Sequence, residues 1–152
     1  MHIRRARESE AADLSTLAIA SKAYWPYSAE QIEAWRSDLT ISSEMIASFH
    51  TYVAEIEANI AGFFLLIPAS PQWALEHFWV SPACMGRGIG RALISHAIKL
   101  AAEAGVAALA IDADPYAKEF YLAFGAQRIG TIPAPIEGVP DRARPQLVLS
   151  TQ

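Results

Sequence analysis

Residues 2–6 read as a short strand, and a helical pattern follows. Leu14, Leu17, Ala18 and Ser21 recur every three or four positions, so one face of a helix would be buried. Ser9 is placed to cap that helix, which would start near Glu10. Tyr24-Trp25-Pro26-Tyr27-Ser28 breaks it. Ser28 and Gln31 have capping-box spacing for a second short helix carrying Ile32 and Trp35, and Thr40 to Ser48 adds a further turn or two. From Thr51 the period becomes two, with Tyr52, Ala54 and Ile56 on one side and Val53, Glu55 and Glu57 on the other. Ala58-Asn59 reads as a turn and Ile60 to Ile67 as a buried strand, so the pair predicts an antiparallel hairpin. Trp73 to Val80 is the next strand, stopped by Pro82.

Beyond Pro82 a long helical pattern returns through Leu93, Ile94, Ala97, Leu100, Ala101 and Ala104, and Gly105 closes it. Val106 to Ile111 is a short apolar strand. Asp114-Pro115 opens another helix, with Asp as cap and Pro at the first helical position, and Gly125 ends it. Ala126 to Ile132 and Pro145 to Leu149 are the final strands around a Pro/Gly-rich loop. The strand-helix-strand near residues 75–111 predicts a parallel pair with a right-handed crossover, and the other pairs are antiparallel. The expected architecture is a mixed α/β sheet with helices on both faces, in a single domain spanning residues 1–152.

Composition narrows the classes. The chain has 12 Lys+Arg against 16 Asp+Glu, a formal charge of -4, and 53% hydrophobic residues, which excludes a disordered chain and disfavours nucleic acid as a partner. The lone Cys84 excludes a disulfide framework and a Cys-based zinc site, and the histidines show no metal-ligand spacing, so no metal is expected. No apolar run reaches the length of a membrane span, and the N-terminal residues lack a signal-peptide stretch. The expectation is a cytoplasmic protein with no membrane partner.

The chemistry concentrates at Met85-Gly86-Arg87-Gly88-Ile89-Gly90-Arg91, between a strand and a long helix. Glycines there let backbone N–H groups converge on an anion at a helix N-terminus. Residues 85–99 carry Arg87, Arg91 and Lys99 and no acid. The Gly-Lys-Ser/Thr of a Walker loop is missing, and the third glycine of a dinucleotide fingerprint is replaced by Arg91 or Leu93, depending on register. A turn kept only for tight packing would leave Arg87 and Arg91 unexplained.

This segment resembles motif A of the GNAT superfamily of acyl-CoA-dependent N-acetyltransferases, Gln/Arg-x-x-Gly-x-Gly/Ala. Ala117-Lys118-Glu119-Phe120-Tyr121-Leu122-Ala123-Phe124-Gly125-Ala126 resembles motif B, in which a helical Tyr precedes a Gly by four residues. The early helices and the hairpin from Val53 to Phe63 match the family's layout, so the resemblance covers nearly the whole chain. It implies a mostly antiparallel, twisted sheet with a splayed central parallel pair, and acetyl-CoA as acyl donor. Two positions depart from the family: Met85 replaces the usual Gln or Arg, and Asp114 the common Asn, bringing a charge less welcome near a phosphate-bearing ligand.

The resemblance implies roles residue by residue. Trp79 and Val80 would offer backbone amides to the pantetheine arm and acyl oxygen. The run from Met85 to Arg91, including Ile89 and Gly90, would hold the pyrophosphate, with Asp114 also on the cofactor side. Tyr121 would protonate the departing thiolate. Glu76 and His77, adjacent on one strand and therefore facing opposite sides, are the candidate bases, ahead of Glu55 and Glu57. Trp25 and Tyr27, flanking Pro26, are the candidate acceptor-binding residues, whereas helix packing accounts equally well for Trp35. Cys84, with no evident base partner, reads as an inert loop thiol. The expected partner is a small-molecule or peptide amine, and the family's habit of dimerising allows a homodimer. The alternative function is a non-catalytic module of the same fold that binds CoA or another small ligand.

Overall fold

The computed structural model describes residues 1–152, and its elements follow the hydrophobic pattern with corrections at the joins. In chain order they are β1 (His2–Arg5), α1 (Ala11–Ala23), α2 (Ala29–Ala34), α3 (Ser43–Ser48), β2 (His50–Ile56), β3 (Asn59–Ile67) and β4 (Trp73–Val80). Then come α4 (Ile89–Glu103), β5 (Ala108–Asp112), α5 (Lys118–Ala123), β6 (Gln127–Pro133) and β7 (Ala143–Ser150). The strands form a seven-stranded mixed sheet in the order β1-β2-β3-β4-β5-β7-β6. Contacts divide the chain into two compact units, and β4 and α4 each run from one into the other.

The first unit comprises residues 1–67 and 77–97. β1 pairs antiparallel with β2, and β2 with β3. Phe63 and Gly62 are neighbours on β3, so they face opposite sides of the sheet. On the Phe63 side lies a core of Leu14, Leu17, Ala18, Leu39, Ile46 and Val53, contributed largely by the early helices. On the Gly62 side sits the start of α4. A Cβ added at Gly62 would lie 2.8 Å from the Trp79 carbonyl oxygen, 3.0 Å from Leu93 and 3.2 Å from Ile89. Glycine at 62 thus lets α4 and the end of β4 approach β3 closely. Arg4 on β1 ties this unit's edge together, with a two-point ion pair to Glu10 (3.0 and 2.7 Å) and a 2.9 Å bond to Glu55 on β2.

The second unit comprises residues 68–76 and 98–152. Its parallel ladder is short, Trp73 opposite Leu109 and Ala74 opposite Ala110. β7 then pairs antiparallel with β5 on one side and β6 on the other. Every β6 residue is exposed. Pro133 and a register shift between Arg128 and Gly130 interrupt it, which blunts a sheet edge against unwanted pairing.

Four joins differ from the pattern's expectation. Ser9 does not cap α1: residues 8–10 form a tight turn, and the Glu10 carboxylate accepts the Arg7 N–H at 2.8 Å. The β2–β3 turn centres on Glu57 and Ala58, both at positive φ, so Asn59 is already paired with Ile56. Such two-residue turns match the twist of the strands they join. α4 begins at Ile89 and includes Gly90. β5 begins at Ala108 because the Val106 N–H returns to the Ala101 carbonyl (2.9 Å), closing α4 around Gly105 at φ 79°. Ser28 does cap α2, accepting the Gln31 N–H at 3.0 Å, and Asp114 accepts the Tyr116 N–H at 2.8 Å.

Candidate active site

In the first unit, β4 leads through a tight turn over Pro82–Cys84 into the glycine run. Gly86 and Gly88 have φ of 80° and 81°, in the region that side-chain-bearing residues avoid. Alternation of such conformations points successive N–H groups toward one concave spot. The turn is exposed from Gly86 to Gly88, and Arg87 and Arg91 are exposed beside it. It heads a 15-residue helix, whose dipole adds positive potential at that end. Backbone donors, a helix terminus and two guanidinium groups make a site suited to a phosphate-rich anion. Met85 adds no polar side-chain group, and Cys84 is half-buried.

Glu76 is exposed and His77 is buried, on opposite faces of β4 as strand alternation requires. His77 is 7% exposed and stacks against Phe63, with ring centroids 6.4 Å apart. The Trp79 indole N–H donates to His77 Nδ1 at 3.1 Å. Burial pushes the His77 pKa down to about 4. The ring is therefore neutral at pH 7, with its proton on Nε2 and its Nδ1 lone pair engaged.

Trp79 also belongs to an aromatic group. Tyr27 and Trp35 meet edge to face at 4.8 Å, and the Lys22 Nζ lies 4.5 Å from the Trp35 centroid, 5.3 Å from Tyr27 and 5.9 Å from Trp79. Trp25, on the other side of Pro26, meets Tyr24 edge to face at 5.1 Å. Of the weaker base candidates, Glu55 is committed to Arg4.

In the second unit, Tyr121 on α5 is buried, beside Phe120 at 5.3 Å. Burial, reinforced by the negative charge of Asp114, pushes its phenol above the usual tyrosine range, so it is fully protonated at neutral pH. Asp114 does not stand alone. Arg142 reaches it at 3.5 Å, with both side chains under a tenth exposed, and also donates to the Ala134 carbonyl at 3.0 Å. This pairing offsets the charge that made Asp114 look unfavourable beside phosphates.

The sequence pattern does not mark Lys22, Gly62 or Arg142 as site residues. Lys22 sits in the last turn of α1, where a lysine is ordinarily explained by the helix dipole. Arg142 lies 28 residues from its partner, beyond any local pattern. Gly62 was legible only as an interruption in an apolar run. No group of three or more His, Cys, Asp or Glu side chains is arranged to hold a metal, and no helix is long and apolar enough to cross a membrane.

The model of the acetyltransferase (GNAT) family matches residues 15–126, running through both units. Among curated proteins no sequence matches significantly. Solved structures do. A GCN5-related N-acetyltransferase from Rhodopseudomonas palustris is 26% identical, with a TM-score of 0.79, over 98% of this chain and 94% of its own. The PaiA N-acetyltransferase from Thermoplasma acidophilum, solved with coenzyme A, is 19% identical, with a TM-score of 0.76 and 98% coverage of both chains. The YncA acetyltransferase from Salmonella typhimurium, solved with acetyl-CoA, is 14% identical, with a TM-score of 0.73, over 100% of this chain and 94% of its own.

Proposed function

The chain belongs to the acetyltransferase (GNAT) family, and we propose that it transfers an acetyl group from acetyl-CoA to an acceptor amine by direct attack. The observation that carries this reading is the exposed glycine turn, with Gly86 and Gly88 at positive φ, heading α4 between Arg87 and Arg91. It fits the pyrophosphate of CoA. The coenzyme A and acetyl-CoA in structures of the same fold support that ligand.

In the reaction, the amine nitrogen forms a bond to the thioester carbon and the carbon–sulfur bond breaks. One amine proton goes to a base, and the thiolate takes up a proton to leave as CoA thiol. The oxygen of the tetrahedral intermediate needs N–H donors, for which the Trp79 and Val80 amides are the candidates. Glu76 is the better base. It is exposed and free to accept a proton directly or through water, whereas His77 is buried, weakly basic and bonded to Trp79. Tyr121 is the proposed acid. Its raised pKa keeps the proton available and also weakens the phenol as an acid. Asp114 holds the start of the motif B segment, and Tyr27 and Trp25 remain the proposed acceptor contacts.

Isothermal titration with acetyl-CoA, followed by thiol release in the presence of a panel of amines, tests the reading. Saturable binding with amine-dependent thiol release supports it. Binding without release would leave a CoA-binding module, and no binding overturns both.

A further inference from the structure

Tyr27, Trp35 and Trp79 come from three separate places in the chain, a loop, the end of α2 and the end of β4, yet all lie within 6 Å of one ammonium group. Packing alone calls for apolar contact between these rings. It does not call for a cation at their centre. Aromatic faces arranged around a point hold cations because each ring carries negative charge density on its faces. Lys22 supplies that cation from the same chain, and Lys22 and all three rings are half-buried.

Two further observations bear on the occupant. Trp79 is the residue whose backbone is proposed to bind the acyl oxygen, so the group adjoins the strand where transfer would occur. The first 44 residues hold Glu8, Glu10, Asp13, Glu30, Glu33, Asp38 and Glu44 against Arg4, Arg5, Arg7, Lys22 and Arg36, with Glu10 paired to Arg4 and Glu33 to Arg36. The small negative excess favours a cation over a carboxylate as ligand.

We propose that the cage of Tyr27, Trp35 and Trp79 is the recognition site for a cationic ammonium group on the acceptor, with Lys22 as its resting occupant. This rests on the transferase reading and deepens it. The acceptor carries two amino groups. One, protonated or quaternary, displaces the Lys22 ammonium from the cage, and the other, deprotonated, attacks the thioester. The long lysine stem can carry the ammonium out to water, giving up its three ring contacts to the incoming cation. Lys22 is then a competitor for the site as well as its guard against apolar ligands.

Tetramethylammonium chloride is the probe for the cage, followed by tryptophan fluorescence of the full chain, with tert-butanol as a neutral control of similar size. Saturable quenching by the cation alone is expected. In Lys22→Met it should tighten by about three- to tenfold, the range of cation–π competition. Tyr27→Leu should weaken it. Lys22→Gln provides a second reading should the Met variant melt early. Unchanged or weaker binding in both Lys22 variants overturns the proposal, as does equal quenching by tert-butanol. Thiol release then compares 1,4-diaminobutane with 1-aminobutane. A higher kcat/KM for the diamine, increased further by Lys22→Met, supports the assignment. Cation binding without thiol release from any amine keeps the cage and sinks the transferase reading. Thiol release with no diamine preference and no cation binding keeps the transferase and sinks the cage.

Discussion

His77 is neutral because burial penalises its charged form, and this sets a pH dependence of stability. Its folded pKa, about 4, lies below the ordinary 6.5, so below pH 6.5 the unfolded chain takes up a proton that the folded chain refuses. Stability should therefore fall as pH drops from 6.5 to 4, by about 3 kcal/mol from this residue if the whole shift is expressed. In His77→Gln, whose amide oxygen can still accept from Trp79, urea denaturation across that range should show a shallower slope. Arg4 acts in the same direction through Glu10. Its hydrogen bonds hold Glu10 below the usual carboxylate range, a contribution present at neutral pH and lost as Glu10 protonates in acid. Arg4→Leu should cost about 1–3 kcal/mol at pH 7 and progressively less toward pH 3. At the site itself, Tyr121→Phe should lower kcat by about 10²-fold or more with little change in acetyl-CoA affinity, measured by thiol release and titration. Tyr121, Glu76 and the glycines were readable as candidates because their types and spacing are local. The surroundings of His77 were not, because burial and the Trp79 bond are properties of the folded chain.

Among the elements, α4 and its entry turn carry the most specific demand on backbone shape. Gly88→Ala would place a Cβ at φ 81°. No neighbouring atom stands in its way, so the cost is conformational strain of about 1–2 kcal/mol. The distorted turn should also weaken acetyl-CoA binding, and titration together with thermal melting separates the two effects. Gly62→Ala has the opposite cause. Its backbone is ordinary, but the added methyl meets the Trp79 carbonyl and α4, so β4 or the helix must shift. A loss of about 1–3 kcal/mol is expected, with weaker acetyl-CoA binding through the displaced start of α4. Element identities were legible because hydrophobic period distinguishes strand from helix, while boundaries moved where hydrogen bonds compete. Val106 is apolar enough for a strand, but its N–H completes the cap of α4 instead.

For the whole molecule, the formal charge of -4 conceals a division between the basic run at 85–99 and an otherwise acidic chain. An anionic ligand at that run should bind less tightly as salt rises, because exposed guanidinium–phosphate attraction is screened. Titration of acetyl-CoA at 50 and 500 mM NaCl should show this, and the double variant Arg87→Ala/Arg91→Ala should flatten the dependence. The succession of strands and helices follows from hydrophobic period, and the glycine run with its two arginines stands out by spacing and charge, all of which act between residues near in sequence; the family is legible through the resemblance of two short motifs. The rings around Lys22, the Arg142–Asp114 pair and the contrast between exposed Glu76 and buried His77 depend on tertiary structure. Each joins side chains far apart along the chain, or turns on how much water one of them has lost. Local pattern carries neither kind of information, because distance and desolvation are defined only once the chain has closed on itself.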